Sequence, residues 1–368
     1  MIPLYRVHMP SDVLESLREV LFSGYLADGS YVRRFEEAIG AYLGHPSLTT
    51  NDNVSTAILL ALYVAGVRPG DEVIASPMAC LATNQPVLNL FARVVWADVD
   101  PETGNLDPAQ IDALATPRTR AVLYPHWGGD VGDIEAINAA ARARGLRVVE
   151  DAGEALGAEH DGRKVGATGT DFTVFAFHAI RHITTGEGAA IAYADPEVAA
   201  RAKKLKRYGI DQAGFRDALG EIDPGSDIPE AGFNSYMTNV AAAIGLAQMQ
   251  HLERLVARHR ANGEFYERAL ADVAGITRLR RSPRTRSAYW VYTLLAERRD
   301  ELLRALRERG VHASKVHLRN DVYSCFGPST RRLPGLDAFS ARYLCIPCGW
   351  WVEDEDRERV VDAIRKGW

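Results

Sequence analysis

Cysteine is scarce in this chain, with four in 368 residues. So few do not make the disulfide framework of a small secreted domain. Long apolar runs are missing too, and none approaches the ~18 residues that a membrane helix needs. Charge of one sign is not in excess: 43 Lys and Arg face 48 Asp and Glu, for a net charge of -5. That balance gives no electrostatic footprint for nucleic acid or an anionic membrane. No internal repeat and no low-complexity segment breaks the sequence. The first residues, MIPLYRVHMPSDVLESL, lack the charged, apolar and small-residue order of a signal peptide. The expectation is a soluble cytoplasmic protein.

What is present is a large apolar reserve, 47% of the residues. DEVIASPM, VVWADVD, AVLYPHW, LRVVEDA and GAAIAYAD read as short strands. Helical patterns such as VSTAILLALYVAGV and DIEAINAAARARG lie between them and end near glycine. Strands alternating with helices predict a mainly parallel sheet covered on both faces. Residues 239–274 form a long helical pattern. YWVYTLL then reads as a strand, RDELLRALRERG as a helix, KVHLRNDVYSCFG as strand or loop, and DEDRERVVDAIRKGW as a closing helix. The division expected is a large unit over 1–245 and a smaller α+β unit over 246–368. Residues 211–230, rich in Gly, Asp and Pro, read as a long surface loop.

In open parallel sheets, ligands bind beyond the carboxyl ends of the strands. Asp151 ends the strand VVEDA, where a buried carboxylate needs a partner or else caps the next helix. Asn53-Val54-Ser55-Thr56 opens a helix whose first N–H groups can hold an anion. TTGEGA at 184–189 is a Gly-rich turn. Cys345-Ile346-Pro347-Cys348 has the spacing of a redox pair, but Pro347 and Gly349 interrupt the run around it. Two buried thiols at a strand end is the plainer reading.

Taken in order, these segments resemble the DegT/StrS family of nucleotide-sugar aminotransferases. SGYLADGSYVRRFEEAIGAYLG, GVRPGDEVIASPMACLATN, ADVDPETGNLD, PHWGG and VVEDAGEALGAEHDGRKVGATGTD match its early segments. FAFHAIRHITTGEGAA, KRYGID, GFNSYMTNVAAAIGLAQM and the tail around LPGLDAFSARYLCIPCGWW continue the match. The resemblance implies a fold-type-I pyridoxal-phosphate (PLP) transferase fold, α/β and aspartate-aminotransferase-like. It implies that Asp151 pairs with the cofactor's pyridine nitrogen, which makes the ring an electron sink. Ser55 and the amide of Val54 match the phosphate site. Asn234 matches a residue that reaches the phosphate of a neighbouring subunit, hence a homodimer with shared sites. Cys80 falls where many members stack an aromatic on the ring. Tyr208, Asp211, Arg319, Asn320 and Asp321 match segments near the nucleotide sugar.

The chain also departs from the family. In Phe175-Ala176-Phe177-His178-Ala179-Ile180-Arg181-His182, Arg181 stands where the family has the Schiff-base lysine. A guanidinium keeps its proton at any ordinary pH, so it neither forms the imine nor shuttles a proton. Ala176 replaces a serine of the phosphate site, and Glu154 replaces a His or Gln beside the ring hydroxyl. Val54-Ser55 replaces Gly-Thr, and Tyr236 replaces an arginine.

The expectation drawn from these changes is a site that has lost PLP, or holds it without a covalent bond. Arg181 is expected to pair with Asp151 in the vacated space. His178, His182, Glu154, Asp151 and Arg181 are the candidates for PLP-independent acid–base chemistry on a keto sugar: isomerisation, epimerisation or elimination. His182 has a plainer role open to it, a hydrogen bond to backbone. No metal is expected, because His178 and His182 have no clear third ligand. Three alternatives remain at this point. They are an NDP-4-keto-6-deoxysugar aminotransferase carrying a Lys→Arg change, a lysine-free PLP 3-dehydratase, and a non-catalytic partner subunit.

Overall fold

The structure is a computed structural model, and it describes every residue except 330. Its strands are β1 (Leu48–Asn51), β2 (Glu72–Ala75), β3 (Arg93–Trp96), β4 (Thr119–Pro125), β5 (Arg147–Asp151), β6 (Glu159–His160) and β7 (Arg163–Lys164). They continue as β8 (Phe172–Ala176), β9 (Ala189–Tyr193), β10 (Ile276–Arg278), β11 (Thr285–Arg286), β12 (Tyr292–Ala296) and β13 (Tyr343–Ile346). The first helices are α1 (Val13–Phe22), α2 (Ser30–Leu43), α3 (Val54–Val64), α4 (Leu81–Asn89), α5 (Ala109–Leu114) and α6 (Ile134–Ala143). The others are α7 (Pro196–Leu205), α8 (Asn239–Ala269), α9 (Arg299–Glu308), α10 (Pro334–Arg342) and α11 (Asp354–Arg365).

Seven strands form the main sheet in the order β1-β9-β8-β5-β4-β2-β3. The five from β8 to β3 run parallel, while β9 is antiparallel to both of its neighbours, β8 and β1. The central strands β8 and β9 are buried along their whole length, as strands covered on both faces must be. Helix α3 is apolar nearly all round and packs inside. Helix α6 is amphipathic instead, burying Ile134, Ile137 and Ala141. The Asp133 side chain caps it by accepting from the Ala136 N–H at 3.1 Å.

The strands β10, β12 and β13 make a small antiparallel sheet, which α9 and α11 help to cover. Helix α8 runs through residue 245, the expected limit of the large unit, and packs on α1, α2 and α11. KVHLRNDVYSCFG forms two short 3₁₀ turns, Asn320–Val322 and Ser324–Phe326, rather than a strand. Cys345 lies in β13 and Cys348 just beyond it, both fully buried. Burial pushes the Cys345 thiol up to about 12, so it is protonated at neutral pH.

Candidate active site

Strand β5 ends in Asp151, and the chain turns so that Glu154 follows three residues later. Both carboxylates are buried. Gly153 makes the turn possible, since a Cβ there would meet Asp151 Oδ1 at 3.0 Å and Ala176 Cβ at 3.1 Å. Across from them lies the PHWGG segment after β4. A Cβ on Gly129, whose φ is +93, would strike the Glu154 carbonyl at 2.8 Å and the Trp290 N at 2.9 Å. Only glycine tolerates both that conformation and that approach.

Glu154 is the hub of the site. Its Oε2 accepts from the Gly128 N–H at 2.8 Å. Its Oε1 accepts from Arg181 Nη1 at 3.2 Å and from His317 Nε2 at 3.0 Å. Burial pushes its pKa up, but the His317 hydrogen bond and the Arg181 charge outweigh it, and the net direction is down. The Arg181 guanidinium lies over the Trp290 ring at 4.2 Å. The Trp290 Nε1–H donates to the Ile180 carbonyl at 2.7 Å, which ties the ring to the residue before Arg181. Tyr5 stacks on Trp290 at 5.0 Å, and the His317 ring lies parallel to it at 6.2 Å. The Nε–H of Arg181 is buried without a protein partner.

Asp151 sits in a different environment. Its Oδ2 accepts from the Thr83 hydroxyl at 2.6 Å, and its Oδ1 from the Gly153 N–H at 2.9 Å. Burial raises its pKa despite both bonds. The expected Arg181–Asp151 ion pair is absent among the described residues: the guanidinium turns to Glu154. The reason lies in the partners. Glu154 already accepts from Gly128 and His317, and Trp290 supplies a flat surface on which Arg181 rests.

The sequence candidates separate in space. Arg181, Glu154, Asp151 and Cys80 come together, and all three charges act on the Cys80 thiol, whose pKa rises mainly through burial. His182 is buried, its Nε2 bonded to the Ala288 carbonyl at 3.0 Å and its ring packed on His259 at 4.6 Å. Burial, then His259, hold its pKa well below the ordinary value. His178 is half-exposed and faces Glu187, Nε2 to Oε1 at 3.5 Å. Val54 and Ser55 form the first turn of α3, where Asn53 accepts from the Thr56 N–H. Asn234 is exposed and bridges in β fashion to Arg207.

Of the substrate-side candidates, Arg319 makes two bonds to Asp321, at 2.7 and 2.6 Å, and a third to Asp337. Asn320 is buried and donates to the Ala79 carbonyl at 2.8 Å, so this segment frames the start of α4. Tyr208 has φ +60 and is exposed, and Asp211 pairs with Lys204 at 2.7 Å. Sequence reasoning missed His317, Trp290, Tyr5 and Thr83. They come from four distant segments, and no periodicity joins them. His317 alone carried a signal, since it lies two residues before Arg319.

Residues 8–365 match the DegT/DnrJ/EryC1/StrS aminotransferase family. The chain belongs to this family. GDP-perosamine synthase of Caulobacter vibrioides is 34% identical over 344 residues, covering 91% of this chain and 90% of that protein. The crystal structure of the sugar aminotransferase CalS13 from Micromonospora echinospora superposes with a TM-score of 0.95 at 34% identity, over 100% of both chains. AtS13 from Actinomadura melliaura gives 0.94 at 35% identity, over 100% of this chain and 99% of that one. The fold is therefore that of the fold-type-I PLP aminotransferases.

The family cofactor is PLP, and the pocket meets it only in part. Asp151 fits a protonated ring nitrogen, because it is buried and bonded only by neutral donors. The first turn of α3 fits a phosphate. Ala176 brings no hydroxyl to it, and Cys80 brings no aromatic face. Arg181 does not fit an imine at all, being both permanently charged and held by Glu154. These residues do not fit a covalently bound cofactor.

Proposed function

We propose that this family member acts on a nucleotide-linked keto sugar by acid–base chemistry that does not pass through a Schiff-base lysine. The observation that carries this reading is Arg181, fixed between Glu154 and Trp290 with its Nε–H buried and free. A guanidinium in that state offers a preorganised donor to a carbonyl oxygen as it gains charge. Ionised Glu154 accepts from His317 Nε2, which leaves Nδ1 as the basic nitrogen of that ring. A carboxylate-oriented imidazole is the arrangement of a general acid–base group. The products such a pair gives are those of isomerisation, epimerisation or elimination next to the carbonyl. The nucleotide-sugar class rests on relatives such as GDP-perosamine synthase. In this reading the chain is a homodimer, with exposed Asn234 reaching the site of the partner subunit. No helix among the described residues is long and apolar enough to cross a membrane.

The test is proton exchange. Nucleotide-linked 4-keto-6-deoxy sugars are incubated with the protein in D2O without PLP. Deuterium should enter beside the carbonyl, and the rate should fall ~10²-fold or more in Glu154→Gln and His317→Ala, the usual loss for a missing acid–base group. Exchange that appears only after PLP is added would overturn the reading in favour of a second one, a lysine-free PLP enzyme. Asp151 favours that alternative, since it retains no cationic partner among the described residues. No exchange, with or without PLP, points to a non-catalytic partner subunit. Arg181→Lys separates the cases further: an imine absorbance in that variant marks a cofactor site intact but for its anchor.

A further inference from the structure

Away from Glu154, three segments meet at one edge of the fold: the start of α6, the turn between β6 and β7, and the residues leading into β11. Glu135 comes from the first turn of α6. His160 ends β6, and Asp161 follows it in the turn with φ +48. One carboxylate oxygen from each acid and one ring nitrogen of His160 all lie within 4.8 Å of one another.

The histidine makes this more than a pair of surface acids. His160 is 4% exposed, and neither ring nitrogen has a hydrogen-bond partner. Its Nε2 stands 3.6 Å from Asp161 Oδ2. A buried polar nitrogen without a partner is costly, and this one borders a cleft of about 220 Å³ shared with Asp133, Asp100 and Arg284. Positive charge already occupies the spot. Arg284 bonds Glu135 at 2.7 and 2.9 Å, and it bonds both oxygens of Asp161. The guanidinium satisfies the two carboxylates and leaves the imidazole unsatisfied.

We propose that Glu135, His160 and Asp161 form a binding site for a first-row divalent cation of the zinc type, with Arg284 as its exchangeable stand-in. One imidazole nitrogen and two carboxylate oxygens are ligands such cations accept, at ~2.0–2.2 Å. Both acids are exposed, and rotation of their side chains closes that distance once Arg284 leaves. The Arg284 side chain is half-exposed, so water takes up its charge when a cation displaces it. Three protein ligands leave a further position open toward the cleft. The ion would join α6 to the β6–β7 turn, which pairs with β11.

Chelator-treated full-length protein is titrated with Co²⁺ and Zn²⁺, followed by calorimetry and by the visible bands of Co²⁺. One saturable site per chain is expected. Affinity should fall at least tenfold in His160→Gln and rise several-fold in Arg284→Gln, which removes the competing cation. His251→Gln, which alters a separate His–Asp contact with Asp12 at 3.9 Å, should leave binding unchanged. Absence of saturable binding overturns the site. So does binding that is insensitive to His160→Gln, that follows His251→Gln, or that weakens in Arg284→Gln. Circular dichroism checks that His160→Gln folds; Asp161→Asn, on the surface, gives the same reading if it does not.

Discussion

Asp151 and Glu154 stand three residues apart at the end of one strand, equally buried, yet their pKa values move in opposite directions. Asp151 has only neutral donors, so burial wins and its pKa rises. Glu154 has a guanidinium and an imidazole, so burial loses and its pKa falls. The lesson is that partners, not depth, decide the direction in which a buried carboxylate's pKa moves. Neighbouring titratable groups pushed apart in this way are a common basis for dividing acid and base roles.

The sharpest way to erase that difference is Arg181→Ala. It leaves Glu154 buried with only His317 and the Gly128 N–H, and urea denaturation should show a loss of ~3 kcal/mol, as for a broken buried ion pair. A wild-type stability in this variant would mean that Arg181 does not hold Glu154. Next comes the acid limb of stability. The folded pKa of Glu154 lies below its unfolded value. Its contribution is therefore complete above the ordinary Glu pKa of ~4.3 and is lost as pH falls through the folded value. Glu154→Gln should flatten the stability-against-pH slope in that window.

A smaller effect is expected from Trp290→Phe. The ring face weakens and the Nε1–H bond to Ile180 is lost, for ~1–2 kcal/mol by thermal or urea unfolding. Smallest, and of opposite sign, is Asp151→Asn. A raised folded pKa means that stability is lost as pH climbs from the ordinary Asp value of ~3.9 through the folded one. The asparagine variant should be modestly more stable than wild type at pH 7 and equal to it at pH 3. Equal stabilities at both pH values would place Asp151 in an unstrained environment and remove the contrast.

Much of the fold was legible in the chain. The six strands read from apolar runs are β2, β3, β4, β5, β9 and β12, and the long helical pattern is α8. Periodicity reports burial of a whole face, and burial is what builds these elements. The strand β1 escaped, because LTTN is too short and polar to show a period. Arg181 is legible as well, since a guanidinium cannot do an amine's chemistry wherever it points.

Where Arg181 points was not legible. Distance in sequence gave Asp151 and Glu154 nearly equal claims on it. The choice depends on Gly129 letting the turn after β4 approach, on Trp290 arriving from the small sheet, and on His317 arriving from beyond α9. The sequence by itself determined the family and the alternating α/β architecture, because each follows from local chemistry and pattern. Only the tertiary structure decided which carboxylate has its pKa raised and which lowered, which histidine meets Glu154 and which holds backbone. Those are properties of long-range contacts, made by residues that share no segment.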